Sequence, residues 1–289
     1  MWQTIGHDWA VELLSNSLKR GRFSHTFLFT GPTGIGKRHL ARELAAAINC
    51  RESDAPCLLC TSCKGVWAGA NPDLTIVAPD NGTIRIEQIR NAQHELALTP
   101  YQSSHRVCII TEFETATTEA ANALLKTLEE PPASAIIILT ARDTSLLLPT
   151  VVSRCQHIGL RLVSGSVIER TLEERFALSS EQAAKLAGMA AGRIGWALRA
   201  AEDNSLVQQR LERGNALLGI LRSMPAERIM EAEKLSKADD LRETLEFWQG
   251  WWHDALVATL GKPELAVNLD EMALVGRDGL HLQTAEADQ

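Results

Sequence analysis

The 289-residue sequence lacks any apolar run of about 18 residues, the minimum for a membrane-spanning helix. Its first residues, MWQTIGHDW, lack a basic stretch followed by an apolar block. No secretory leader is therefore indicated, and a cytoplasmic location is expected by default. Positive charge is not in excess: 29 Lys and Arg stand against 36 Asp and Glu, a net charge of −7. That balance excludes a generally basic, nucleic-acid-coating surface and leaves room for a local DNA contact. Internal repeats and low-complexity tracts are also missing. A hydrophobic content of 45% and a charged content of 22% fit a globular chain with a sizeable core. The length suits one large and one or two smaller domains.

The stretch that organises the chain is GPTGIGKRHL, residues 31–40. An apolar run over residues 26–30 reads as a short buried strand before it, and RHLARELAAAIN reads as a helix after it. Strand, glycine loop and helix together are the context of a phosphate-binding loop. Gly31, Gly34 and Gly36 belong to that loop. Gly31 and Gly36 let the backbone curl so that N–H groups point inward, and the helix start adds its positive end. Lys37 would reach the β- and γ-phosphates. The pattern then requires Ser or Thr to hold Mg²⁺, and this chain has Arg38, which cannot ligate a cation. The loop is thus built to cradle phosphate without a metal ligand. An occupied ATP site and an empty one both stay open, and Mg²⁺ is not expected. Arg38 could also pair with a phosphate in place of the metal.

Cysteine use is concentrated. Cys50, Cys57, Cys60 and Cys63 follow the spacing C-x6-C-x2-C-x2-C. Four thiolates can surround Zn²⁺ tetrahedrally, and two intervening residues let a tight turn aim both sulfurs at one ion. A catalytic zinc keeps a position open, so four cysteines imply a structural site that helps fold a small knob. The competing reading is unligated or redox thiols. Cys108 and Cys155 read as core thiols.

Further along, residues 8–20 read as a helix stopped by Gly21. Residues 73–79, 106–111 and 135–140 read as strands. Residues 84–98 and 117–130 read as helices, the second capped by Thr117 or Thr118 and stopped by Pro131 and Pro132. Near-continuous apolar strands alternating with helices predict an α/β domain whose parallel sheet is covered on both faces. Beyond Leu162 only helices are readable. Residues 164–176, 179–192 and 194–203 form a three-helix unit, with Ser179 and Gln182 at capping-box spacing. Longer helices cover residues 205–224, 225–236 and 238–260, and residues 269–289 lose apolar periodicity and read as disordered at their end. The expected domains are 1–162, with the cysteine insert at 50–63, then 163–203 and 204–289.

A phosphate-loop ATPase also needs an acidic residue at the end of a buried strand to manage Mg²⁺. Here that position is Thr111, followed by Glu112, which reads as a water-activating base or a solvated carboxylate. Both positions that would manage the metal, Arg38 and Thr111, are therefore unsuitable, so hydrolysis is not expected.

GPTGIGK, the four-cysteine insert, EAANALLKTLEEPP (residues 119–132) and VVSRC (residues 151–155) occur in that order. The set resembles the subunits of the bacterial DNA polymerase III clamp loader, closely over residues 1–200 and in outline beyond. The resemblance implies an AAA+ P-loop domain with a zinc insert, a three-helix lid and an all-α collar for oligomerisation. It also implies partners: tau/gamma and delta subunits in a hetero-pentamer, the sliding clamp, and primer-template DNA through the assembled complex, with no membrane. Two subunit types fit, the ATP-hydrolysing tau/gamma type and the delta-prime type, which commonly hydrolyses nothing. Arg38, Thr111 and Gly195, where an active relative would place a nucleotide-sensing arginine, point to the delta-prime type. In this family Arg154 of SRC projects into a neighbour's ATP site, so it is expected to act in trans as an arginine finger. The alternatives are a tau/gamma-like ATPase motor and a zinc-dependent nucleic-acid-binding module.

Weaker candidates remain. Gly6 and His7 resemble the segment lining an adenine pocket in the family. Thr140 stands where relatives carry a polar phosphate sensor. Trp248, Trp251 and Trp252 are expected on one helical face, in a core or interface rather than stacking on bases. Lys126 is expected to be solvated or paired with Glu129.

Overall fold

A computed structural model describes residues 2–21, 23–238 and 240–260. The expectation for residues 269–289 lies outside them. The described residues form two compact units: one runs to Ser164 and takes in Arg193–Gly195, and the other comprises Gly165–Gly192 and the described residues from Trp196 onward.

Among the described residues of the first unit, five strands form one parallel sheet. They are β1 (Thr26–Thr30), β2 (Leu74–Val77), β3 (Arg106–Ile110), β4 (Ala135–Ala141) and β5 (Gln156–Gly159), in the order β2-β3-β4-β1-β5. Its helices are α1 (Asp8–Lys19), α2 (Lys37–Ile48), α3 (Thr61–Ala68), α4 (Ile86–Ala97), α5 (Thr118–Glu129) and α6 (Pro149–Val152). Side chains alternate across a strand, so each strand feeds two cores. Phe27, Phe29, Val107, Ile109, Ile136 and Ile138 pack with Leu40 and Leu44 of α2 on one face. Leu28, Cys108, Ile110, Ile137 and Leu139 pack with Ile89 of α4 and Leu124 of α5 on the other. With both faces covered, the central strands carry no polar alternation. This is the α/β parallel-sheet class expected from the sequence.

Two elements depart from expectation. β5 is an edge strand paired only with β1, and Ile158 is its one fully buried residue. Gln156, His157 and Gly159 carry no apolar signal, so it reads as loop. α3 lies inside the cysteine segment, where the Sγ of Cys60 accepts from the Cys63 N–H at its first turn. Thr117 caps α5, its hydroxyl accepting from the Ala120 N–H at 3.2 Å.

The second unit is helical. Its helices are α7 (Gly165–Phe176), α8 (Ser180–Ala190), α9 (Ile194–Glu202, whose first two residues belong to the first unit), α10 (Ser205–Arg222), α11 (Pro225–Leu235) and α12 (Leu241–Thr259). The capping box before α8 is formed: Ser179 accepts from the Gln182 N–H and the Gln182 side chain accepts from the Ser179 N–H. Leu217 of α10 packs on Trp251 and Ala255 of α12, with Trp248 alongside. The three tryptophans do not share one buried face. Trp252 is 39% exposed while Trp251 is buried, because one residue along a helix rotates the side chain by about 100°. Among the described residues no helix is long and apolar enough to cross a membrane.

Candidate functional site

The phosphate loop leaves the C-terminal end of β1, the edge of a parallel α/β sheet where ligands bind. Gly31 has φ of +143°, and a Cβ there would lie 2.6 Å from the Leu160 carbonyl oxygen, so only glycine fits. Its N–H donates to the carbonyl of Arg142, the residue after β4, at 3.1 Å. Gly36, at φ of +107°, forms the left-handed turn into α2. The Gly34 carbonyl accepts from the Gly195 N–H at 2.7 Å. A Cβ at residue 195 would come within 2.9 Å of that oxygen, so the glycine standing where a sensor arginine is expected permits the contact.

Lys37 folds back over its own loop. Its Nζ donates to the carbonyls of Gly31 at 2.5 Å and Pro32 at 2.9 Å. Burial lowers its pKa from 10.5 to about 8, against the opposite pull of Glu114 and Glu112; Arg142 lowers it further. Glu114 and Arg142 escape a reading of the sequence. They form an ion pair at 2.9 Å, Glu114 is 5% exposed, and its Oε2 is buried without a hydrogen-bond partner. Their positions, four residues past β3 and one past β4, are the only signal that could have flagged them.

Arg38 is exposed at the second position of α2. Thr111 is buried just past β3, and its hydroxyl donates to the Val77 carbonyl at 3.2 Å. Glu112 adopts φ of +54°, and its N–H donates to the Thr140 hydroxyl at 3.1 Å. Thr140 keeps its own proton for donation. His7 is buried, with Nε2 3.0 Å from the Ile35 carbonyl, and burial lowers its pKa although that contact raises it. The ring therefore donates from Nε2 to the loop. Gly31, Gly34, Gly36, Lys37, Thr111, Glu112, Thr140 and His7 are thus gathered at one end of the sheet.

Arg154 is at the other end. It precedes β5, and its carbonyl accepts from the hydroxyl of Thr26, the first residue of β1, at 2.6 Å. The five residues of β1 rise about 3.3 Å each, which places this arginine's backbone roughly 15 Å from the loop. Its guanidinium pairs with Glu129, the last residue of α5. Glu129 thus pairs with Arg154, and Lys126 is exposed, the solvated one of its two expected states.

The cysteine segment brings a second constellation together. The sulfurs of Cys50, Cys57, Cys60 and Cys63 all lie within 4.8 Å of one another, and no disulfide joins them. The Sγ atoms of Cys57 and Cys63 are 4.0 Å apart. Four sulfurs at about 2.3 Å from a tetrahedral ion are about 3.8 Å apart, so the cluster has the size and donor set to hold one metal ion. Backbone N–H groups of Cys60 and Leu59 favour the Cys57 thiolate and bring its pKa down to about 6. Burial pushes Cys63 up. Cys63 and Val66 of α3 join the core under α2, which ties the knob to the sheet.

With this geometry in view, similarity to known proteins becomes informative. A family described as DNA polymerase III, delta subunit, matches residues 6–164. The chain belongs to that family. It is 38% identical over 166 residues to DNA polymerase III subunit delta' of Bacillus subtilis (strain 168), covering 57% of this chain and 50% of that one. It is 35% identical over 168 residues to DNA polymerase III subunit tau of the same organism, covering 57% and 29%. The chain thus spans half the length, or less, of these curated relatives. A DNA polymerase III gamma subunit-related protein of Thermotoga maritima is similar in structure, with a TM-score of 0.50 and 22% identity, covering 81% of this chain and 76% of that one. That likeness concerns the fold alone, a parallel α/β sheet followed by helices.

Lys37 loses its charge as pH rises through about 8, so the loop offers a phosphate its full charge about pH 7 and little of it about pH 9. NMR titration of labelled lysine side chains is expected to show one midpoint near 8 that vanishes in Lys37→Ala. Absence of any midpoint below about 10 would contradict this assignment.

Proposed function

We propose that this family member is a delta-prime-type subunit of a DNA polymerase III clamp loader. It hydrolyses nothing itself and lends Arg154 to a neighbouring subunit's ATP site. One observation carries the reading: the loop keeps its phosphate-cradling backbone while both positions that manage Mg²⁺ are spent. Arg38 repels a cation, and the Thr111 hydroxyl is committed to Val77. In phosphoryl transfer the metal supplies much of the charge stabilisation, so losing both ligands removes turnover at this site. ATP remains a ligand the loop has the shape to hold. Arg154 lies too far from the chain's own loop to serve it, so any γ-phosphate it meets belongs to another subunit. A guanidinium is planar and permanently charged, which suits the charge that shifts onto phosphate oxygens in the transition state.

The partners on this reading are tau/gamma and delta subunits in a hetero-pentamer, the sliding clamp, and primed DNA reached through the complex. Residues 163–203 act as the lid and 204–289 as the oligomerising collar. The four thiols hold a structural Zn²⁺, with no ligand position open for substrate.

A second reading, a tau/gamma-like motor, is favoured by the 35% identity to a tau subunit and by Glu112 beside Thr111. ATP turnover separates the two. The isolated chain is expected to show none, with no change in Lys37→Ala; turnover abolished by that substitution would establish the motor. In the assembled complex Arg154→Ala is expected to slow hydrolysis at the adjoining site by about a thousandfold while assembly persists. An unchanged rate would reject the finger. Metal analysis of protein purified without chelator is expected to find about one zinc per chain, lost in Cys60→Ser with a lower melting temperature. Zinc-free, fully stable protein would reject the site.

A further inference from the structure

Arg154 is held from several sides. Its backbone N–H donates to the Val151 carbonyl at 3.2 Å, and its carbonyl accepts from Thr26. The backbone is therefore fixed without help from Glu129, and only the side chain has freedom. A guanidinium carries five N–H groups. Nε donates to Glu129 Oε1 at 2.7 Å, and Nη2 donates to the same oxygen. Nη1 donates to the Thr150 carbonyl at 2.8 Å. Nη1 also donates to the Ser153 hydroxyl at 3.3 Å, and one hydrogen on Nη2 is left over. That hydrogen lies on the end of the guanidinium, where it can donate to a phosphate.

The location of Glu129 also calls for a reason outside its own helix. It is the last residue of α5 and is followed by Glu130. The C-terminal end of a helix carries partial negative charge, so carboxylates are disfavoured there. The pair is half exposed, with side-chain exposures of 31% for Arg154 and 49% for Glu129, so it adds little to stability as an ion pair.

We propose that Glu129 is a positioning residue for Arg154. Its carboxylate occupies the side edge of the guanidinium and leaves the outer Nη2 hydrogen for a phosphate of the adjoining subunit. The inference rests on the reading of Arg154 as a finger and adds the group that aims it. Aim matters because a small misplacement of a catalytic group slows the chemical step without changing substrate binding.

The test is single-turnover ATP hydrolysis by the full chain assembled with its partner subunits, clamp and primed DNA. Glu129→Ala is expected to slow, by about tenfold to a hundredfold, the kinetic phase that Arg154→Ala removes, with the ATP KM unchanged. Glu129→Gln keeps the shape and an acceptor oxygen, so its rate is expected to fall between Glu129→Ala and the unaltered chain. It also serves as the variant least disturbing to assembly. The double variant is expected to be no slower than Arg154→Ala alone, because Glu129 acts only through that arginine. Unaltered rates in both Glu129 variants, beside a loss in Arg154→Ala, would make Glu129 a mere surface ion pair and overturn the proposal alone. An unaltered rate in Arg154→Ala would overturn the finger reading and the proposal with it. Extra loss in the double variant would also overturn it.

Discussion

The parallel pairing of β1 with β4 and β5 gives the first unit two chemically different ends. At the end where the strands finish, the loop from Gly31 to Lys37 joins Arg142, Glu112 and Thr140. At the end where they begin, Arg154 is fixed to Thr26 and Glu129. An antiparallel sheet could have brought both groups to one edge. A parallel one separates a phosphate cradle from the arginine by the length of a strand. On the proposed reading this separation is why the chain has to work with neighbours: its cationic group is useful only to a site that another subunit completes.

The loop itself shows what is retained when the metal positions change. Its backbone depends on Gly31, where any side chain would strike the Leu160 carbonyl, and on the left-handed turn at Gly36. Those features serve packing as much as phosphate, so they persist whether or not turnover does. The electrostatics differ from a metal-bearing site. Lys37 is bonded to two carbonyls of its own loop, and Arg142 is neutralised by Glu114. Arg38 has no oxygen to offer a cation, and the Thr111 hydroxyl is uncharged and donates to Val77.

How much was legible beforehand follows from where each residue's energy comes from. β1, β3 and β4 were readable because burial on both faces demands unbroken apolar runs. β5 was hidden because an edge strand needs only Ile158 inside. The four-thiol cluster was readable because its ligand spacing is local. α3 was hidden because cysteine, glycine and serine in TSCKGVWA give weak helix signals, and its burial comes from docking on α2. The phosphate loop was legible from its glycines. The role proposed for Arg154 rests on the SRC motif, since a lone arginine at a strand edge carries no spacing signal. Glu129, Glu114 and Arg142 were missed because each gains its meaning from a partner 25 or 28 residues away.

The most direct measurement is a structure of the assembled complex bound to a non-hydrolysable ATP analogue. The Arg154 guanidinium is predicted to lie within about 3 Å of a γ-phosphate oxygen held by the adjoining subunit. A guanidinium turned to solvent, with no adjoining nucleotide in reach, would contradict the proposed role.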